Sequence, residues 1–155
     1  MKLEKAIFAA GCFWGVQAAF DKIKEVIKTT VGYTGGNFKN PSYEDVCSNK
    51  TGHAEAILIE FNPKIVSYEK LLEIFWKIHN PTTLNKQGHD IGTQYRSAVF
   101  YYNKKQKELA VKSRGKESKK YKDKIVTQIV KASKFYPAEN YHQKYYLKHK
   151  VVCNI

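Results

Sequence analysis

Gly11-Cys12-Phe13-Trp14-Gly15 places a thiol where the pattern of the chain changes. Before it, Ala6-Ile7-Phe8-Ala9 is a short apolar run of the kind found in a buried strand. After it, Val16, Ala19, Phe20 and Ile23 fall at i, i+3, i+4 and i+7, which is one face of a helix. The chain therefore reads strand, tight turn at Gly11, helix from near Cys12. A cysteine in the first helical turn meets unpaired backbone N–H groups and the positive end of the helix dipole. Both favour thiolate over thiol, so a lowered pKa is expected for Cys12 as a candidate nucleophile. Phe13 and Trp14 beside it form an apolar wall. The alternative is a buried structural cysteine at a strand-to-helix junction.

A second group lies in Gly52-His53-Ala54-Glu55-Ala56-Ile57-Leu58-Ile59-Glu60-Phe61. Side chains alternate faces along a strand, so Glu55 shares a face with Ile57, Ile59 and Phe61. A carboxyl on an apolar face is costly to ionise and tends to keep its proton. Staying protonated at neutral pH needs an upward shift of roughly 3 units, on the order of 4 kcal/mol. Such a group is a candidate general acid. The competing reading is a strand-end glutamate that reaches solvent past the sheet edge. A third patch, Gln87 to Ser97, is a long polar stretch that offers Asp90 as acceptor, Tyr95 as hydroxyl and Arg96 as charge. Tyr43, in Asn40-Pro41-Ser42-Tyr43-Glu44, is another loop aromatic with a hydroxyl. His89 next to Asp90 is a weak metal signal.

The elements that must position these groups follow from local pattern. Residues 29–33 are β-branched and aromatic, a strand ended by Gly35-Gly36. Residues 37–49 read as loop and 54–61 as strand. Ser67 caps a helix with Leu71, Leu72, Phe75 and Ile78 on its apolar face, stopped by Asn80-Pro81. A polar loop over 82–94 leads to a strand at 97–102. A Lys-rich helix runs from Asn103 to near Tyr121, a strand covers 125–130, and 134–155 has no clear period. Strands interleaved with few long helices predict an α+β two-layer sandwich with a split β-α-β (ferredoxin-like) core and an irregular C-terminal tail. With 155 residues, 1–155 is expected to be a single catalytic domain, 134–155 being the tail.

Hydrophobic residues make up 43% and charged residues 26%, which excludes a disordered or fibrous chain. The net charge of +13 raises a nucleic-acid-binding module as one reading. Against it, only Arg96 and Arg114 are arginine, the residue that reads bases and clamps phosphates. The basic stretch 104–124 has helical spacing and is read as a solvated helix face. The cysteines Cys12, Cys47 and Cys153 are widely spaced and odd in number, against a secreted disulfide framework. None has the Cys-x-x-Cys spacing of a structural zinc site. No apolar run approaches the roughly 18 residues of a membrane span. Ala9-Ala10-Gly11-Cys12 looks like a lipoprotein cleavage box. The apolar run before it, however, falls short of the roughly 7–15 residues of a signal core. A cytoplasmic location is expected, with no membrane partner.

Gly-Cys-Phe-Trp-Gly at 11–15 resembles the active-site motif of the peptide methionine sulfoxide reductase A family. Val31-Gly32-Tyr33-Thr34-Gly35-Gly36, Asn40-Pro41-Ser42-Tyr43, Val46-Cys47-Ser48 and Thr51-Gly52-His53-Ala54-Glu55 look like further family blocks in the same order. So do Gly92-Thr93-Gln94-Tyr95-Arg96-Ser97 and Ala138-Glu139-Asn140-Tyr141-His142-Gln143. The resemblance covers nearly the whole chain. It implies that Cys12 attacks the sulfur of methionine-S-sulfoxide, free or in proteins, and that Glu55 protonates the oxygen. It implies that Tyr43 and Tyr95 donate hydroxyls to that oxygen, that Asp90 orients substrate or water, and that Phe13 and Trp14 wrap the methyl group. Attack would leave a sulfenic acid on Cys12. Cys153 resembles the family's first recycling cysteine, and a Cys12–Cys153 disulfide reduced by thioredoxin is the implied cycle. Cys47 resembles a cysteine the family does not usually need and is read as a small buried hydrophobe. No metal, organic cofactor or specific nucleic acid is implied, and a monomer is expected. Gln17 stands where the family usually carries Glu. A thiol peroxidase using the same Cys12 is the remaining enzymatic alternative.

Overall fold

The computed structural model describes residues 2–149. The elements begin with β1 (Glu4–Ala10), α1 (Phe13–Asp21), β2 (Val26–Thr34), α2 (Tyr43–Cys47), β3 (Ala54–Phe61) and α3 (Tyr68–Lys77). A short hairpin follows, β4 (Lys86–Gln87) and β5 (Asp90–Ile91), then a 3-10 turn at Thr93–Tyr95. The chain continues through β6 (Ser97–Tyr101), α4 (Lys104–Ser118), β7 (Gln128–Lys131), β8 (Tyr136–Pro137), a 3-10 turn at Asn140–His142 and α5 (Tyr145–His149).

Six strands form one sheet in the order β7-β6-β1-β3-β2-β8. β3 lies between β1 and β2, antiparallel to both, and β1 lies between β3 and β6, antiparallel to both. The units β1-α1-β2 and β3-α3-β6 are therefore two interlocked split β-α-β motifs, the expected ferredoxin-like core. β7 joins β6 in parallel after the α4 crossover. β8 extends the far edge antiparallel to β2.

Strand alternation sorts the core into two faces. Ala6, Phe8, Ala10, Val31, Tyr33, Ile57, Ile59, Phe61 and Val99 face Val16 and Phe20 of α1 and Leu71, Leu72 and Phe75 of α3. Phe8 anchors this layer, stacking on Phe20 at 5.8 Å and Phe75 at 5.1 Å. The other face is small, built on Ile7, Ala9, Ala54, Ala56, Ala98 and Phe100, with Phe135 packed against it. Burial on both faces explains why 6–9 reads as a continuous apolar run rather than an alternation.

The helices start where their caps dictate. Ser67 accepts from the Lys70 N–H at the start of α3, and Asn103 accepts from the Gln106 N–H at the start of α4. The expected loop 37–49 contains a one-turn helix, α2, fixed by a capping box between Ser42 and Asp45. A single turn leaves no hydrophobic period, so it escapes a pattern-based reading.

The tail expected to be irregular carries, within its described part, β8, the 3-10 turn and α5. Each is too short to show a period in sequence. It is tied down by Gln143, whose side chain accepts from the Val31 N–H and donates to the Val31 carbonyl, both at 2.9 Å. Gln17, 1% exposed, accepts from the Lys144 N–H at 2.6 Å and donates to Thr29 Oγ1 at 3.1 Å. The tail therefore straps α1 to β2.

Gly32 makes this docking possible. A Cβ there would overlap the Tyr136 carbonyl oxygen and stand 2.6 Å from the Phe135 ring. We expect Gly32→Ala to cost about 1–3 kcal/mol through overpacking, read as a lower denaturation midpoint at an unchanged m-value.

Candidate active site

Cys12 is the N-cap of α1, reached through Gly11 at φ +96°. That conformation favours glycine. A side chain there would also meet Gln87 of the β4–β5 hairpin at 2.8 Å. The turn is therefore closed by the hairpin that carries Asp90. Cys12 is half-buried and opens into a cleft of about 890 Å³ bordered by Gly15, His79, Gln87, His89 and Asp90.

Glu55 is the inward-facing residue at the start of β3, paired in register with Tyr33 and 2% exposed. It reaches the first turn of α1: the Phe13 N–H donates to Glu55 Oε1 at 3.3 Å. Its other oxygen accepts from Gln94 Nε2 at 2.8 Å. Burial pushes the carboxyl up to about 7, with the Asp90 charge adding to the rise while Gln94 and Phe13 hold it back. The strand-end alternative is excluded: Glu55 faces the helix layer with Ile57, Ile59 and Phe61.

The expected low pKa of Cys12 is overturned. Burial, then the Glu55 carboxylate, pushes the thiol up to about 12. The Trp14 and Gly15 backbone N–H groups oppose this rise without offsetting it, and Asp90 adds to it. The helix start supplies the dipole the sequence predicts, but β3 brings in a carboxyl group from 43 positions away, which a local rule does not see. At rest, Cys12 is a thiol.

The aromatic positions converge on the same place. Phe13 is buried, 5.7 Å from the Tyr33 ring and 5.3 Å from the His142 ring. Trp14 stacks on Tyr145 at 3.8 Å. Tyr43 opens α2 with its ring 4.5 Å from His142. Tyr95 ends the 3-10 turn, its hydroxyl held up first by burial and then by the fields of Glu55, Asp90, Cys12 and Cys47. Tyr43 is raised likewise, by burial and then by its hydrogen bond to Cys47. Both phenols are protonated donors at neutral pH. Asp90 is exposed on the cleft rim.

Three site residues were not assigned a role from sequence. His142 is 1% exposed and accepts the Trp14 indole N–H on Nδ1 at 2.9 Å, which leaves its proton on Nε2. Burial lowers its pKa, so it is neutral. Gln94 binds Glu55. Glu139 accepts from the Tyr33 hydroxyl and from the Tyr43 N–H, each at 3.0 Å, and so fixes the start of α2. The blocks around 92–97 and 138–143 were the available signal, but the partners lie far apart in sequence. Cys47 is exposed rather than a buried hydrophobe, because it ends the short helix α2 at the surface. Among the described residues, no group of three or more His, Cys, Asp and Glu side chains could hold a metal ion. Cys153 lies outside the described residues.

A neutral thiol facing a buried carboxyl across phenol donors and an aromatic wall is the site of a thiol-dependent enzyme. The model of the family described as peptide methionine sulfoxide reductase matches residues 4–155, and the chain belongs to that family. It is 55% identical over 155 residues to the peptide methionine sulfoxide reductase MsrA of Methanosarcina acetivorans, covering 99% of this chain and 82% of that one. The fold superposes on reduced Mxr1 from Saccharomyces cerevisiae with a TM-score of 0.94 at 34% identity, covering 99% of this chain and 90% of that one. It also matches Mxr1 in complex with Trx2, with a TM-score of 0.68 at 27% identity, covering 93% and 85%.

Proposed function

We propose that Cys12 carries the reduction of methionine sulfoxide to methionine in this family member, with Glu55 as the proton carrier between thiol and substrate. The observation that carries this reading is the buried Glu55 carboxyl, hydrogen-bonded to the N–H of the residue after Cys12, where burial holds its pKa up to about 7. A carboxylate at that point can take the Cys12 proton as the sulfur attacks. The resulting acid delivers the same proton to the sulfoxide oxygen, a poor leaving group until protonated. The Cys12 sulfur bonds to the sulfoxide sulfur, the S–O bond breaks, and the hydroxyl passes to Cys12 as the sulfur–sulfur bond opens. Cys12 is oxidised by two electrons to a sulfenic acid, the substrate sulfur is reduced by two, and no proton is gained or lost overall. Tyr43 and Tyr95 donate hydrogen bonds to the developing charge on oxygen. Phe13 and Trp14 hold the methyl group, with Trp14 fixed by His142 and Tyr145. Asp90 orients the substrate at the rim.

In the rest of the cycle, the Cys153 thiol condenses with the sulfenic acid, releasing water and forming a disulfide. A thioredoxin-type dithiol then reduces it, as the complex of the related Mxr1 with Trx2 supports. Residues 1–155 act as one catalytic unit, monomeric and cytoplasmic, on the S epimer. Among the described residues, no helix is long and apolar enough to cross a membrane. The purified chain with dithiothreitol and methionine-S-sulfoxide is expected to yield methionine, and the R epimer is expected to remain unreduced. Equal turnover of both epimers, or consumption of peroxide without sulfoxide reduction, would contradict this reading.

A further inference from the structure

Gln94 is the middle residue of the short 3-10 turn between β5 and β6, and its side chain is 4% exposed and points inward. Its Nε2 donates to Glu55 Oε2 at 2.8 Å and to Cys47 Sγ at 3.6 Å. Both acceptors lie on the nitrogen side of the amide, so they fix which end faces the carboxyl. With the nitrogen turned away, the amide oxygen would face the Glu55 carboxylate oxygen, which has no proton to donate when ionised, and would keep at best the weak S–H donor of Cys47.

The groups around Glu55 make this amide consequential. Cys12 faces it from the start of α1, Tyr33 from β2, Tyr43 from α2, Asp90 from β5 and Tyr95 from the 3-10 turn. None of these is a cation. The Glu55 carboxyl therefore has two neutral hydrogen-bond donors among the described residues, the Phe13 backbone N–H at 3.3 Å and the Gln94 amide. The first comes from the main chain and is present whatever residue stands at 13, other than proline. The second is a side chain, and a donor to a carboxylate favours its ionised form. Without it, burial and Asp90 would act against the Phe13 N–H alone.

We propose that Gln94 is a positioning residue that sets the pH at which Glu55 exchanges its proton, and through Glu55 the pH range of sulfoxide reduction. The proposal rests on Glu55 being the proton carrier of the reaction. Gln94 touches neither substrate nor Cys12 in this account. It acts by holding one carboxyl oxygen toward α2 and the 3-10 turn, leaving the Phe13-bound oxygen toward Cys12.

The test is Gln94→Met, which removes the donor at nearly constant volume, with Gln94→Leu as the second variant should the first fold poorly. The Glu55 side-chain carboxyl is titrated by carbon NMR in the full chain, and its resonance is assigned by its disappearance in Glu55→Gln. The midpoint is expected to rise by about one to two units, the size of a lost hydrogen bond to a charged group. The midpoint of the pH profile for single-turnover reduction is expected to move upward with it. A purely structural role would lower activity at every pH without moving either midpoint. A carboxyl midpoint that stays at its wild-type value overturns the role given to Gln94. A carboxyl midpoint that moves while the activity midpoint stays overturns the assignment of Glu55 as proton carrier instead.

Discussion

Glu55→Gln is expected to lower methionine sulfoxide reduction by about 10²–10⁴-fold while making the fold more stable at and above neutral pH. The two effects share a cause. The folded-state pKa of Glu55 is raised from the ordinary 4.5 to about 7, so the folded state binds more protons than the unfolded chain between these values. Stability therefore falls as pH rises through that window. Below it, the carboxyl is neutral in both states and costs nothing extra. Above it, the folded state carries a buried anion at a cost of up to about 3 kcal/mol. Glutamine keeps the shape and carries no charge, so its advantage should appear in melting curves near pH 8 and vanish near pH 4. The Phe13 N–H still finds the glutamine oxygen, and the Gln94 amide can turn its oxygen to the new NH₂ group, so the substitution leaves neither buried partner unpaired. A third readout separates this account from simple damage to the site. Removing the Glu55 charge takes away a main cause of the high Cys12 pKa. Cys12 in Glu55→Gln should react faster with iodoacetamide than in wild type, although turnover is nearly gone. A variant that loses both alkylation and turnover would point to a collapsed pocket instead.

Cys12→Ser is the second large effect, with turnover expected to fall by about 10⁴-fold or more. A serine oxygen neither attacks the sulfoxide sulfur usefully nor forms a stable counterpart of the sulfenic acid. The fold should be little affected, because a serine oxygen at this position can still meet the Trp14 and Gly15 backbone N–H groups at the start of α1. Cys47 cannot substitute. It sits at the end of α2 in contact with Gln94 and Tyr43, and its removal should leave a single turnover intact. Residual turnover in Cys12→Ser that disappears only in the double variant with Cys47 would show that the nucleophile has been misassigned.

The pair at the centre of the site was legible in sequence because both members obey short-range rules. Cys12 follows an apolar strand and a glycine and precedes a helical period, and Glu55 keeps strand phase with Ile57, Ile59 and Phe61. The ferredoxin-like core was legible for a similar reason: β3 alternates, α1 and α3 carry helical apolar faces, and β1 shows as a continuous apolar run closed by Gly11. The ionisation state of Cys12 was not, because it depends on burial by the folded chain and, after that, on a carboxyl delivered by another strand. His142 and Gln94 gave no local signal either. A histidine that accepts an indole N–H 128 positions away and a glutamine that holds a carboxyl 39 positions away are defined by topology alone. The short elements of the tail and α2 stand on capping and tertiary contacts rather than on a repeat of apolar residues.

The most direct test of Cys12 as the atom that takes the oxygen is a single turnover without reductant. Cys153→Ser protein, in which the expected resolving thiol is absent, is mixed with methionine-S-sulfoxide, and the products are trapped with dimedone. One methionine released per chain, with the dimedone adduct on the peptide containing Cys12, is the predicted result. Methionine formed with the adduct on Cys47, or no methionine at all from folded protein, would contradict it.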